Sequence, residues 1–231
     1  MMEQAKKVIV LLSGGLDSAT CLAIAVNKVG NNNVIALNTY YGQKHDKEIK
    51  CARKLADYYK VKLIEVDALS VMQYSDCSLL KQSGKEIPHE EYGEQTKNTG
   101  GMPVSTYVPF RNGLFLSMAA SIGLSLGADE ILCGVHADDA AGSAYPDCSI
   151  DFIDSMNEAI KKGTAGQIRI IAPFVQKNKS EVVKEGLRLK VPYELTWSCY
   201  EGGVKPCGKC GTCIDRQRAF EANGVKDPAI N

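Results

Sequence analysis

Residues 7–12, KVIVLL, run straight into Ser13-Gly14-Gly15-Leu16-Asp17-Ser18 and then into an Ala- and Leu-rich stretch. A continuous apolar run of that length suits a strand buried on both faces, as in a parallel sheet, and parallel strands need crossover helices. The rest of the chain repeats the alternation. A helix is expected at 18–28, a strand at 33–38 and a helix at 45–59, where Ile49, Ala52, Leu55, Ala56 and Tyr59 form one stripe. Strands follow at 61–66, 129–135 and 168–171, with an apolar helix at 112–127 and another helix at 149–162. This order predicts an α/β fold, a doubly wound and mostly parallel five-stranded sheet with helices on both faces. Ligands of such sheets bind in the loops at the carboxyl ends of the strands.

The first of those loops is chemically the richest. Gly14 and Gly15 allow a sharp turn that gathers backbone N–H groups. Ser13 and Ser18 add hydroxyls, and the following helix adds the positive end of its dipole, so the loop can cradle a phosphate. Asp17 fits an anion site if it holds a Mg²⁺ that bridges to the phosphates; a plain Gly-rich turn with a capped helix is the alternative. The loop is neither a Walker A sequence nor a G-x-G-x-x-G dinucleotide fingerprint.

Nine cysteines divide into five scattered ones and a cluster, Cys199, Cys207, Cys210 and Cys213, spaced C-x7-C-x2-C-x2-C. Four thiolates complete a closed tetrahedral zinc site, whose default role is structural. An iron–sulfur cluster is the rival, but the ferredoxin run continues with x3-C-P and no cysteine follows Cys213. Free thiols are the third possibility. The apolar run at the N-terminus is too short for a signal-peptide core and no stretch reaches a membrane span, so the cysteines are expected reduced in the cytoplasm. Lys+Arg and Asp+Glu both number 27, and that zero balance speaks against a large nucleic-acid footprint. Residues 73–106 are polar and rich in Gly and Pro, as in a lid or binding loop.

SGGLDS, placed between strand and helix, resembles the PP-loop of the ATP pyrophosphatase superfamily, which implies ATP binding by Leu12, Ser13, Gly14, Gly15, Leu16, Asp17 and Ser18. Together with the cysteine pattern it resembles the 7-cyano-7-deazaguanine synthase family. Tyr41-Gly42-Gln43-Lys44-His45, Val108-Pro109-Phe110-Arg111-Asn112, Gly134-Val135 and Tyr145-Pro146-Asp147-Cys148 match as well. The resemblance implies a ligase that converts 7-carboxy-7-deazaguanine, ammonia and ATP to 7-cyano-7-deazaguanine, with structural Zn²⁺ and with Mg²⁺ accompanying ATP. It also implies a homodimer. Residues 1–195 would form the ATP-binding domain and 196–231 the zinc-binding segment packed on it. Two departures fall near the expected substrate pocket: Ser149 stands where the family commonly has Arg, and residues 137–144 differ from the shorter loop expected there.

Individual residues carry competing roles. Arg111, at a helix start where the dipole disfavours it, suits phosphate or carboxylate recognition, or else a surface salt bridge. In Asn178-Lys179-Ser180-Glu181 a capping box uses Asn178 and Glu181, leaving Lys179 for phosphate or solvent. The expected catalytic set is therefore Asp17, Arg111 and Lys179. Asp147 could pair with the N–H edge of a deazapurine, beside Arg111 in the substrate site, or cap a turn. His45 could touch nucleotide or lie at a helix surface. His89 and His136 show no constellation with a nucleophile, and Cys148 reads as a buried structural thiol. Rival functions are a tRNA-modifying thiolase of the PP-loop class, an enzyme conjugating a deazapurine to a partner, and a nucleotide-sensing module with a zinc ribbon.

Overall fold

The computed structural model describes residues 6–230. In chain order the elements are β1 (Val8–Leu11), α1 (Leu16–Val29), β2 (Val34–Tyr40), α2 (Lys47–Tyr59), β3 (Lys62–Asp67), α3 (Leu69–Met72) and α4 (Tyr92–Asn98). They continue with α5 (Arg111–Leu126), β4 (Glu130–Leu132), α6 (Ala137–Ala140), α7 (Ile150–Gly163), β5 (Arg169–Ile171), α8 (Lys179–Arg188) and α9 (Gly211–Ala222). The five strands form one parallel sheet in the order β3-β2-β1-β4-β5, with Val8 of β1 in register with Val34 on one side and Glu130 on the other. The α/β class and the five-stranded parallel sheet expected from the alternation are both present.

The apolar β1 run is explained by its central place. Val8, Val10 and Leu12 face a core shared with Leu16 and Leu22 of α1, Val182 and Val183 of α8, and Phe220 of α9. Ile9 faces the opposite core, among Leu116 and Ala119 of α5 and Ile153 and Ile160 of α7. Alternate residues thus enter different cores, and neither face can be polar. Strand order reverses between β1 and β4, which opens a crevice at their carboxyl ends.

Differences from the sequence expectation are local. β4 stops at Leu132, because at Gly134 the chain leaves the sheet to lie against α1; a Cβ there would sit 3.0 Å from the Asp17 carbonyl carbon. Segment 73–106 is tied down rather than wholly irregular: it holds α4, a bridge from Gln43 to Leu80, and a Ser78 N–H donating to Ser105 O at 2.9 Å. Helix α9 was not expected, since glycines and cysteines dominate its approach. No helix among the described residues is long and apolar enough to cross a membrane.

After Trp197 the chain is anchored by Arg216, which is 4% exposed and forks onto Asp227 with N–O distances of 2.6 and 2.9 Å. Its remaining N–H groups donate to Thr196 Oγ1 and the Tyr193 carbonyl. Removing one partner strands a buried charge. Asp227→Ala is therefore expected to cost about 3–5 kcal/mol in urea unfolding, and a loss below about 1 kcal/mol would show the fork to be dispensable.

Candidate active site

Every strand-end loop of the central sheet contributes to one cleft. Ser13, Gly15, Asp17 and Ser18 line it from the first loop, Tyr41, His45 and Glu48 from the second, and Gly134 and Asp139 from the loop after β4. Gly14 sits at φ +95, and a Cβ on it would lie 2.1 Å from the Glu48 carbonyl oxygen, so the loop packs directly on the α2 backbone and only glycine fits. The Gly14 carbonyl in turn accepts the Trp197 N–H at 3.0 Å. The two serine hydroxyls lie 3.1 Å apart and accept from the Gly15 and Gly14 amides. Helix α1 begins at Gly15 without a side-chain cap, which leaves its first amides to the cleft. Leu12 borders the cleft, whereas the Leu16 side chain is wholly buried in the core, leaving only its backbone for a ligand.

Below the loop lies a buried charge cluster. Lys179, the first residue of α8, is 7% exposed and places Nζ 3.3 Å from Asp17 Oδ2 and 3.2 Å from His136 Nε2. His136 Nε2 also approaches Asp17 Oδ1 at 3.7 Å and Asp139 Oδ2 at 3.4 Å. Burial alone would raise the Asp17 pKa, but Lys179 and His136 reverse that and hold it below the ordinary value. Burial likewise works against the Lys179 charge, and Asp17 and Asp139 overcome it, so the ammonium persists. The capping box is present, with Asn178 Oδ1 accepting the Glu181 N–H and Glu181 accepting the Asn178 N–H. Lys179 is thus left free for the cleft rather than for solvent. Asp17 Oδ1 and His136 Nδ1 are buried without hydrogen-bond partners. An orphaned carboxylate oxygen beside a second cleft carboxylate, Asp139, is the donor set that a hard oxygen-seeking cation such as Mg²⁺ requires. His136 was set aside in the sequence for want of a nucleophile beside it and Asp139 was not singled out; their position just after a strand was the available signal.

At the other end Arg111 begins α5. Its Nη1 donates to Tyr41 Oη at 3.2 Å and its guanidinium lies over that ring, 5.4 Å from the centroid. Among the described residues no carboxylate lies within salt-bridge distance of it, so the surface ion-pair alternative is not what the fold builds. Asp147 is placed differently from expectation. Its Oδ2 accepts the Asn112 N–H at 2.9 Å and it does not line the cleft. The carboxylate caps the start of α5, satisfying an amide the helix leaves unpaired. Ser149 is likewise a helix cap, accepting the Phe152 N–H at 3.2 Å, which explains a serine at that position. Burial pushes the Cys148 thiol far up, consistent with an unreactive structural group.

Glu48 and His45 complete the wall next to Arg111. Burial lowers the His45 pKa, and His45 Nδ1 has no partner. Burial raises Glu48 from 4.5 to about 7 against the pull of Arg111. The folded chain then holds this proton more tightly than the unfolded chain between pH 4.5 and about 7. Stability is full below the lower value and declines as pH rises through the window. Glu48→Gln is expected to remove about 1–3 kcal/mol of that decline, read as a flatter dependence of urea-unfolding free energy on pH. An unchanged slope would refute the assignment.

The four cluster cysteines place their Sγ atoms within 4.8 Å of one another. A tetrahedral site with bonds of ~2.3 Å has sulfur–sulfur edges of ~3.8 Å, so the set closes on one ion with little movement. Backbone N–H groups already point at the sulfurs: Cys207 donates to Cys199 Sγ at 3.3 Å, and Cys210 donates to Cys207 Sγ at 3.3 Å. Such bonds favour the thiolate form that a metal requires. The four sulfurs are a set that could hold one metal ion, apart from the cleft.

A parallel sheet with SGGLDS at its strand-order reversal, backed by an acidic and a basic side chain, defines a PP-loop type of α/β enzyme. Solved structures agree on the fold. NMN synthetase from Francisella tularensis matches with a TM-score of 0.52 and 16% identity, over 96% of this chain and 79% of that one. The U34-tRNA thiolase NcsA from Methanococcus maripaludis, described with its 4Fe-4S cluster, matches with a TM-score of 0.51 and 16% identity, over 96% and 67%. Residues 7–224 match the family model described as queuosine biosynthesis protein QueC, and the chain belongs to that family. Proteins named 7-cyano-7-deazaguanine synthase are similar over nearly their whole length. That of Archaeoglobus fulgidus is 41% identical, covering 97% of this chain and 90% of its own. That of Oceanobacillus iheyensis is 41% identical, covering 96% and 97%.

Proposed function

We propose that the protein is a carbon–nitrogen ligase that makes 7-cyano-7-deazaguanine from 7-carboxy-7-deazaguanine, ammonia and two ATP. The observation that carries the reading is one cleft with a phosphate cradle and the Asp17–Lys179 pair at one end and an acid-free Arg111 at the other. The substrate carboxylate, fixed by Arg111, attacks the α-phosphorus, and pyrophosphate leaves. Ammonia adds to the acyl carbon, a proton is lost, and AMP departs to leave the amide. The amide oxygen then attacks a second α-phosphorus, and a second pyrophosphate leaves. Loss of the two nitrogen-bound protons and of AMP, which takes that oxygen with it, leaves the nitrile. A poor leaving group has become a good one twice.

In this scheme the loop amides and Lys179 hold the phosphates and offset the charge that develops on them. Asp17 and Asp139 would hold Mg²⁺, which when bound supplies Lewis-acid neutralisation of the triphosphate. Cys199, Cys207, Cys210 and Cys213 would hold Zn²⁺, whose closed site supplies structure and no open coordination position. The working form is proposed to be a cytoplasmic homodimer. The test is pyrophosphate release with ATP, Mg²⁺, ammonium and 7-carboxy-7-deazaguanine, followed by mass spectrometry. Release that depends on the deazapurine, with amide and then nitrile masses appearing, is expected. No release would overturn the substrate and turn attention to tRNA or to conjugation partners.

A further inference from the structure

Four hydroxyls from three separate segments form one chain at the Arg111 end of the cleft. Tyr92 Oη lies 2.8 Å from Tyr200 Oη, Tyr200 Oη lies 3.4 Å from Tyr145 Oη, and Tyr145 Oη lies 2.6 Å from Thr106 Oγ1. Tyr92 belongs to α4, Tyr145 to the turn before α7, and Tyr200 follows Cys199 directly. The three tyrosines line the cleft and Thr106 does not. Four hydroxyls own four protons, and three links consume three of them. One proton is therefore left over, and it stands on whichever of the four hydroxyls only accepts.

Its direction follows from burial. If the bonds ran from Tyr92 towards Thr106, the spare proton would end on Thr106 Oγ1, which is 2% exposed and has no further acceptor among the described residues. A buried unsatisfied donor is costly, which excludes Thr106; Tyr145 and Tyr200 each already face two hydroxyl neighbours, whereas Tyr92 ends the chain with one and keeps its other directions open, so the polarity taken runs from Thr106 to Tyr145 to Tyr200 to Tyr92. The free O–H then stands on Tyr92, at the cleft. Arg111, without a salt-bridge partner among the described residues, lines the same cleft as Tyr92 and Tyr200. A fixed guanidinium and a single outward O–H together complement a carboxylate.

We propose that Tyr92 donates a hydrogen bond to the carboxylate of a planar heterocyclic acid held by Arg111, and that Tyr200 positions Tyr92 through the hydroxyl chain. This rests on the substrate reading above and extends it. It also gives the metal centre a part in binding. Tyr200 is adjacent to the ligand Cys199, and a Cβ on Gly211, between the ligands Cys210 and Cys213, would lie 3.1 Å from the Tyr92 ring. The four-cysteine segment therefore grips both ends of the Tyr92–Tyr200 bond.

The test is calorimetric titration of the metal-loaded protein, and of its Tyr92→Phe and Tyr200→Phe variants, with two probes. One probe is 7-carboxy-7-deazaguanine and the other is 7-deazaguanine, which lacks the carboxylate. Loss of a hydrogen bond to a charged acceptor predicts affinity for the acid weakened about 10- to 100-fold in Tyr92→Phe. Tyr200→Phe should weaken it less, by roughly 3- to 10-fold, because Tyr92 keeps its proton but loses its orientation. Binding of 7-deazaguanine, metal content and the KM for ATP should all stay at wild-type values. Equal weakening of both probes would make the tyrosines structural and overturn the proposal, as would unchanged binding of the acid. Failure of the wild type to bind the acid would overturn the substrate reading, and this proposal with it. Should Tyr200→Phe lose its metal, Tyr92→Phe alone decides.

Discussion

Lys179→Met is expected to lower kcat/KM for pyrophosphate release about 10²- to 10³-fold, the usual loss when one donor aimed at developing charge is removed. The side chain is 7% exposed, so no water-borne cation replaces it, and its ammonium lies 3.3 Å from Asp17 Oδ2. The same substitution removes the ammonium that most lowers the Asp17 pKa, so that pKa should climb. A stability loss of about 3–5 kcal/mol should accompany the kinetic one, because an unpaired carboxylate remains buried. The Asp17→Asn/Lys179→Met double variant separates the two effects. It should recover much of the stability, since no lone charge remains, while turnover stays low. Lys179→Met turning over at the wild-type rate would remove Lys179 from the phosphate site. A double variant as unstable as the sum of its parts would show that the two groups do not act as a pair.

How far the residues announced this arrangement differs from one part of the molecule to another. The β1 run could be placed because a strand between two cores must be apolar on both faces, a property visible in six letters. Asn178 and Glu181 likewise announced α8, since a capping box is a local hydrogen-bond pattern. The expectation for α9 failed for the opposite reason. Gly211 and Cys213 are poor helix formers, and what fixes the helix is packing of Ala219 and Phe220 against α1 and α8, contacts remote in sequence. The cap made by Asp147 was hidden on similar grounds: a short carboxylate in a turn can cap or bind, and its partner amide, Asn112, lies 35 residues earlier. Glu48, Asp139 and Tyr200 line the cleft from three separate parts of the chain, and no spacing within one segment could have revealed their convergence. The cysteine cluster was legible because metal ligation imposes its own spacing whatever the fold around it.

Cys210→Ser should be the most damaging single change in the chain. Its sulfur is fully buried, it forms the cap of α9, and its cluster packs with Tyr41, Trp197 and Val108 in one core. On the zinc reading proposed above, three thiolates would hold the ion far less tightly than four, and binding would be folding energy, because no such site exists in the unfolded chain. A loss of about 4 kcal/mol or more is expected, which for a chain of this size lowers the melting temperature by roughly 10 °C or more. The effect should reach the cleft. Trp197 donates to the Gly14 carbonyl at 3.0 Å, two residues before Cys199, so a loosened segment releases the phosphate loop from one side. Elemental analysis and ATP binding should therefore fall together with the melting temperature. Treating the wild type with a chelator and then restoring zinc should reproduce and reverse both losses. Restoration by iron and sulfide alone, with the visible absorption of a cluster, would replace zinc by the rival cofactor. A Cys210→Ser protein that melts like the wild type with its metal content unchanged would mean that the four sulfurs do not share an ion at all.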